Sequence, residues 1–291
     1  MNSSLIHVDG KILAAIDASV YADSVAAHAA WAASRVGAPL QLLHTIERAS
    51  AARGADLSGN LAADDREALL LKLTELDEQR GKLAQQHGQL LLQEQQAKVR
   101  EQHGVEADLL QRHGELVDSL LELESGVRIF VIGKRGEHAD FARGHLGGNL
   151  ERVVRAVHRP VLIAARAFRP IQRVMIAFDG SATTRKCIDM VCASPLATGM
   201  RVDVLMVGSD TPEHHQQLEW AKQQLQQAGF EPDMLRLEGR VEDVIREQVS
   251  QRSVDLLVMG AYGHSRIRSL ILGSTTTQLL RSCQIPLLLL R

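Results

Sequence analysis

The chain has 291 residues, of which 45% are apolar and 3% aromatic, and its formal net charge is −2. This length accommodates two domains of ordinary size. The near-neutral charge argues against a nucleic acid or an anionic membrane as the partner, and the few aromatic residues disfavour base stacking. We expect a cytoplasmic protein, because we find neither a signal-peptide pattern nor a membrane-spanning apolar run, and the three cysteines lack metal-site spacing.

The first half begins with an apolar strand, Lys11–Ser19, that ends in Asp-x-Ser, and a second strand follows at Leu40–Ile46. A long polar segment comes next, from Asp64 to about Val99. Its apolar residues fall largely at helical spacing: Leu69, Leu73, Leu76, Leu83, Leu90 and Val99. Because Gly81 and Gly88 interrupt it, the segment predicts either one long helix or a helical hairpin. We interpret it as an amphipathic cover for the sheet, with a partner-binding helix as the alternative.

Three stretches recur in the same order in the two halves, which indicates one folding unit written twice. KILAAIDAS resembles RVMIAFDGS, VRIFVIGKRG resembles VDLLVMGAYG, and RPVLIA resembles IPLLLL. The join falls at Arg166–Ile171, where Pro170 interrupts the pattern. We therefore predict a first domain over residues 1–166, with a helical insertion at about 61–103, and a second domain over residues 171–291.

The second half alternates apolar strands with helical segments. Strands are predicted at 173–179, 201–207, 233–237, 254–259 and 286–290, and helices at 183–192, 213–228, 241–251 and 274–281. This alternation predicts a parallel sheet that is covered on both faces. Ligands of such sheets bind beyond the carboxyl ends of the strands. Asp179, Val207 and Gly260 all lie at strand ends, so we expect them around one crevice.

A glycine-rich stretch, Met259–Thr276, connects a predicted strand to a predicted helix. Two residues separate Gly260 from Gly263, and nine separate Gly263 from Gly273, which Ser274 follows. Glycine lets the backbone approach a ligand closely, and the free N–H groups of a helix N-terminus favour an anion. The stretch predicts a phosphate cradle, although it matches neither the Walker loop nor the dinucleotide fingerprint. The alternative is a tight connection without a ligand.

The spacing G-x2-G-x9-G-S resembles the signature of the universal stress protein family, on the branch that binds ATP. The resemblance covers nearly the whole chain, as two tandem domains. It implies an α/β fold of two tandem open parallel five-stranded sheets with helices on both faces, similar to Rossmann and flavodoxin folds. Family members commonly pair through their last strands, which a tandem chain can satisfy internally. A homodimer is the other arrangement that the resemblance allows.

The resemblance also implies ATP as the ligand, with or without Mg²⁺. The acid after the first strand would contact adenine and ribose, the end of the second strand would offer its backbone to adenine, and the glycine motif would hold ribose and phosphate. The nucleotide-binding residues predicted in this way are Ala177, Asp179, Val207, Met259, Gly260, Gly263, Arg266, Gly273, Ser274 and Thr275.

Three of these residues also have a simpler interpretation. Asp179 begins an Asp-Gly-Ser stretch and is suited to capping the turn that follows. Val207 is apolar and is suited to the core. Arg266, like its neighbour Arg268, is either a solvated surface charge or a contact to phosphate.

The first half carries a degenerate copy of the motif, GKRGEHADFARGHLGGN, beginning at Gly133. Ten residues separate its second and third glycines, and Gly148 replaces the hydroxyl residue. Between these glycines the net charge is −1, whereas it is +2 in the second half. Like charge beside a polyphosphate is unfavourable, so we predict that ATP occupies the second domain and that the first is structural or binds something else. Lys134 and Arg135 argue the other way, because they are cationic.

The sequence shows only fragments of the groups that an ATPase requires, and it has no nucleophile elbow. We therefore predict a stress-response regulator that binds ATP with little turnover and signals to an unknown regulatory protein partner. In this hypothesis ATP orders residues 262–272, and the partner recognises that change. The alternatives are a nucleotide-free interaction or scaffold protein, and a slow ATPase or autophosphorylating protein.

Overall fold

A computed structural model of the chain describes residues 9–46, 63–134, 136, 148–261 and 273–291. The strands of the described residues are Lys11–Ala15 (β1), Leu40–Ile46 (β2), Ala107–His113 (β3), Val127–Gly133 (β4), Val161–Ala164 (β5), Arg173–Ala177 (β6), Arg201–Val207 (β7), Asp233–Leu237 (β8), Leu256–Gly260 (β9) and Leu287–Leu290 (β10). The α-helices are Ala22–Val36 (α1), Ala63–His103 (α2), Leu116–Leu123 (α3), Gly148–Ala156 (α4), Ala182–Ala193 (α5), Pro212–Gln227 (α6), Val241–Gln251 (α7) and Ser274–Ser282 (α8).

All of these strands join one sheet, in the order β3-β2-β1-β4-β5-β10-β9-β6-β7-β8. Each half contributes five parallel strands, as the resemblance implies, but the two sets form one continuous sheet rather than two separate ones. The halves meet where β5 and β10 pair antiparallel, with Leu162 opposite Leu288. The expected pairing through the last strands is therefore made within the chain, and β3 and β8 form the outer edges of the sheet.

Helices cover both faces of the sheet because the strands are apolar on both sides. In β1, Ile12 and Ala14 belong to the core beneath α1 and α2, whereas Leu13 belongs to the core beneath α3 and α4. The second half repeats this division, with α5 and α6 on the first face and α7 and α8 on the other. Among the described helices, none has an apolar stretch that could cross a membrane.

The long polar segment is one helix, α2, rather than a hairpin. Its interpretation as a sheet cover is correct only for the C-terminal part, where Leu92, Gln95 and Val99 are buried. The leucines of the predicted apolar stripe whose side chains are described are exposed: Leu73, Leu76, Leu83 and Leu90. The face that meets the sheet instead includes Gly88, where a Cβ would collide with side chains of β2 and β3. Close packing against the sheet requires a small residue at Gly88, and the leucine stripe faces away from the sheet.

Candidate functional site

A cavity of about 500 Å³ lies at the carboxyl ends of β6, β7 and β9. The strand order of the second half switches direction here, which is where ligands of open α/β sheets bind, and the volume suits a small organic ligand. The cavity is lined by Ala177, Phe178, Asp179, Thr184, Leu205, Met206, Val207, His214, Val241, Ile245, Met259, Gly260, Gly273, Ser274, Thr275 and Thr276. Eight of the ten predicted binding residues are among them, and Gly263 and Arg266 lie outside the described residues.

Asp179 follows the end of β6 and is held in a hydrogen-bonded turn. Its Oδ1 accepts from the backbone N–H of Ser181 at 2.9 Å and from Oγ1 of Thr184 at 2.7 Å. Ser181 in turn caps α5 by accepting from the N–H of Thr184 at 3.3 Å. The turn-capping interpretation of Asp179 is therefore correct, and the residue also lines the cavity. Capping and ligand contact are compatible here, because the cap fixes the orientation of the carboxyl group.

The N-terminus of α8 forms another wall of the cavity. Gly273 is its N-cap residue, and within the described residues no side chain caps it. The backbone N–H groups of the first turn are therefore available to an anion. The hydroxyl of Thr276 is buried and donates to the carbonyls of Ala261 at 3.2 Å and Gly260 at 3.4 Å. These bonds fasten the first turn of α8 to the end of β9.

The charge around the cavity is not cationic in the part of the chain that the structure describes. Its ionisable lining residues are Asp179 and His214, with neither lysine nor arginine among the described ones. Glu242 lies close by, because its Oε1 accepts from the hydroxyl of Thr275 at 3.2 Å. A polyphosphate would therefore meet backbone N–H groups and hydroxyls in the described lining.

Two groups near the site are held in ways that bear on its chemistry. No cysteine is among the described lining residues; Cys187 of α5 is fully buried, and burial raises the pKa of its thiol. A thiol of this kind is not a nucleophile at neutral pH. His214 is held by its own loop, where Nδ1 lies 2.8 Å from the carbonyl oxygen of Ser209. The arrangement can hold a ligand with an apolar ring at one end and an anion at the other.

Comparison with known proteins identifies the family. The profile of the universal stress protein family matches residues 10–165 and again residues 170–291. The chain belongs to the universal stress protein family. It is 35% identical over 286 residues to the universal stress protein Slr1230 of Synechocystis, which covers 97% of this chain and 99% of that relative.

The solved structures show that the fold is also that of universal stress proteins. A universal stress protein from Archaeoglobus fulgidus superposes with a TM-score of 0.71 at 18% identity, covering 97% of this chain and 98% of its own. One from Pseudomonas aeruginosa gives a TM-score of 0.60 at 16% identity, with coverages of 97% and 93%. The resemblance in the glycine motif is thus confirmed for family and for fold.

The first universal stress domain lacks parts of this site. Asp17 repeats the turn, with Oδ1 accepting from the N–H of Ser19 at 3.1 Å, but Ala22 stands five residues after the acid, where the second domain has Thr184. Gly148 is the first residue of α4, where α8 has a serine. The domain with the degenerate motif thus also lacks the threonine hydroxyl that binds the acid in the second domain. Gly147 and Arg135 lie outside the described residues.

Lys134 does not serve the first domain as a phosphate ligand. Its Nζ crosses to the second domain, where it donates to the carbonyls of Cys283 and, at 3.2 Å, of Ile285. The side chain is buried, and burial lowers the pKa of its ammonium group to about 8. The corresponding position of the second domain is Ala261. The cationic character that argued for anion binding by the first domain is therefore used at the junction of the two domains.

Sequence reasoning missed half of the cavity lining. Four of these residues come from α5, α6 and α7, and four come from β7, α8 and the position after β6: Thr184, His214, Val241, Ile245, Leu205, Met206, Thr276 and Phe178. Thr184 carries a local signal, because Ser181 is suited to cap a helix and such a cap accepts from the N–H two or three residues later. The others come from helices remote in sequence or from core positions, and no spacing rule points to them.

Proposed function

We propose that the second universal stress domain binds an adenine nucleotide, with ATP as the ligand, and that the protein is a cytoplasmic regulator of the stress response with little or no turnover. The observation that carries this proposal is the juxtaposition of the α8 N-terminus and Asp179 around one cavity. A helix N-terminus suits phosphate, and a carboxylate suits the hydroxyl groups of ribose.

The polar and apolar groups divide the cavity in a way that fits a nucleotide. Ala177, Val207 and Met259 provide an apolar lining at the strand ends. Adenine would pack there and hydrogen-bond to the backbone at the end of β7. The ribose hydroxyls would donate to Asp179, and the N–H groups and hydroxyls of Ser274 and Thr275 would receive the phosphates. Arg266 and Gly263 would complete the phosphate site from the loop.

Mg²⁺ would accompany the nucleotide rather than occupy a protein site of its own. In this arrangement Asp179 faces ribose, and the carboxylate beside the expected phosphates is that of Glu242, whose Oε1 accepts from the hydroxyl of Thr275. Mg²⁺ commonly binds through one or two carboxylates together with substrate phosphates, and one carboxylate with the phosphates fits that pattern. The ion would offset the repulsion between Glu242 and a polyphosphate.

Regulation would follow from the loop between β9 and α8. Residues 262–272 carry one glycine of the motif, Gly263, and two arginines between the strand and the helix that form the site. A bound nucleotide would hold this loop, and an unknown protein partner would distinguish the held state from the empty one. Such a mechanism needs binding and release but no bond cleavage.

The experiment is titration calorimetry of ATP into the purified chain, with Gly273→Asp and Gly147→Asp as a matched pair. The first substitution adds a carboxylate where phosphate is expected, and the second adds it at the corresponding motif position of the first domain. We expect one ATP per chain for the parent and for Gly147→Asp, and at least about a hundredfold weaker binding for Gly273→Asp. No binding by the parent at millimolar ATP contradicts the proposal and leaves protein partners as the function to pursue.

A further inference from the structure

The N-terminal part of α2 stands clear of the sheet. Every described residue from Leu71 to Leu83 is exposed, and burial begins only at Ala84. Helices in proteins gain most of their stability from packing one face, so a segment exposed all round is marginal without a partner. We propose that this segment forms a parallel two-stranded coiled coil with α2 of a second copy of the chain.

Leucine recurs at every seventh position of α2, at Leu69, Leu76, Leu83 and Leu90. Such a repeat places the leucines along one seam of a left-handed coiled coil, at the positions called d. The last three have described side chains, and these are 49%, 64% and 65% exposed. The seam is therefore open over its described length.

The seam and the face that packs on the sheet lie on different sides of α2. Leu90 and Leu92 are separated by about 200° around the helix axis. Leu92 is 2% exposed and belongs to the core, whereas Leu90 is 65% exposed. A second helix can therefore reach the leucines without displacing α2 from its own domain.

A second copy is the partner that this seam fits. When two identical helices run parallel and in register, each d leucine meets its own counterpart. Lys72 and Asp77 then occupy the flanking g and e positions, and Lys72 of one copy lies beside Asp77 of the other, where opposite charges attract. The a positions are Leu73, Arg80 and His87, and the two polar layers lower stability while they specify register.

Two alternative contacts in the sheet are less accessible to a second copy than this seam. The last strands, β5 and β10, pair with one another inside the chain and are not available to a second copy. The free edge at β3 is partly covered by α2 itself, because Nε2 of Gln96 donates to the carbonyl of Ala107 at 2.6 Å. A helix that projects from the domain and carries a leucine seam is a more accessible contact.

The test is sedimentation equilibrium of the full chain over a roughly hundredfold range of concentration, because self-association depends on concentration. Leu83→Asp places a charge in the seam. Leu71→Asp is the matched control, since Leu71 is 62% exposed and lies at position f, on the other side of the helix. We expect a dimer for the parent and for Leu71→Asp, and a monomer for Leu83→Asp. A monomeric parent, or a dimer that survives Leu83→Asp, overturns the proposal.

A second measurement tests orientation and does not depend on disrupting the helix. In a parallel pair Leu76→Cys brings two thiols together, and mild oxidation is expected to give a covalent dimer. The native thiols are a low background, because Cys187 and Cys283 are buried and Cys192 is half-buried. If the parent is dimeric and Leu76→Cys is not cross-linked, the parallel register is wrong. Neither measurement involves nucleotide, so its result is independent of ATP binding.

Discussion

The two universal stress domains place an acid-capped turn at the end of their first strand, yet the described residues around that turn differ between them. Asp17 and Asp179 accept the same backbone hydrogen bond, from Ser19 and Ser181. Beyond this bond the domains differ in the residues that would face a ligand. The comparison indicates that the turn belongs to the fold, whereas binding depends on what surrounds it.

The residue after the first motif glycine shows how such a difference arises. In the second domain it is Ala261, which leaves the strand end small. In the first domain it is Lys134, which crosses to the carbonyls of Cys283 and Ile285. At this position the first domain therefore uses its side chain for the junction between the two domains.

The largest effect is expected when the carboxylates Asp179 and Asp17 are removed one at a time and ATP affinity is measured. Asp179→Ala should weaken ATP binding about a hundredfold, because a hydrogen bond to a charged group contributes roughly 1.5–3 kcal/mol. Asp17→Ala removes the equivalent turn cap and should leave ATP affinity unchanged. Calorimetry compares the ATP affinities of the two variants. Unfolding curves check that each variant is still folded. Equal losses of affinity would mean that both domains bind.

Lys134 should make the free energy of unfolding depend on pH, because its ammonium group is buried at the junction of the two domains. Its pKa is about 8 in the folded protein, and an unfolded lysine titrates near 10.4, so the unfolded chain holds the extra proton between these values. The free energy of unfolding should therefore rise with pH across this window, by about 2 kcal/mol from pH 8 to 10 relative to Lys134→Met. Urea unfolding of both proteins at the two pH values measures the difference. Parallel pH profiles would show that the ammonium group is not desolvated.

The place where α2 approaches the first domain can be tested with two glycines of the same helix. At Gly88 a Cβ would collide with Gln111 and His44, so Gly88→Ala should cost about 1–2 kcal/mol in the free energy of unfolding. At Gly81 no described atom lies within contact distance of such a Cβ, and Gly81→Ala should be neutral or stabilising by up to about 1 kcal/mol. Effects of the same sign at the two positions would contradict the close packing at Gly88.

Glu242 should have only a small effect on the affinity of the second domain for ATP. Its carboxylate stands near the expected phosphate site, and removing its charge in Glu242→Gln should strengthen metal-free ATP binding about two- to threefold at low salt. The gain should shrink when Mg²⁺ is added, since the ion already offsets the repulsion. Weaker metal-free binding by the variant would place the carboxylate away from the phosphates.

Much of the fold could be predicted because apolar runs that end in turn residues specify strands directly. The strands β2, β7 and β8 and the helix α7 have the predicted limits. The strand predicted at 254–259 is present as β9, but it begins two residues later and ends one residue later. The strand ends also indicated one crevice, and eight predicted residues line it.

The remaining features depend on packing between elements that are distant in sequence. The leucine stripe of α2 predicted an apolar face but could not show that Gly88 and Leu92, not Leu83 and Leu90, turn toward the sheet. Nor could charge alone show that Lys134 crosses to the other domain. Both outcomes are decided by which surfaces meet, and a single sequence carries little information on that.

The most direct test of the account is a crystal structure of the chain grown with ATP and Mg²⁺. We expect nucleotide density in the cavity of the second domain, with phosphates at the N-terminus of α8 and ribose beside Asp179, and none at the carboxyl end of β1 and β4. Nucleotide bound beside Asp17 in the first domain, or in both domains alike, would contradict the central claim.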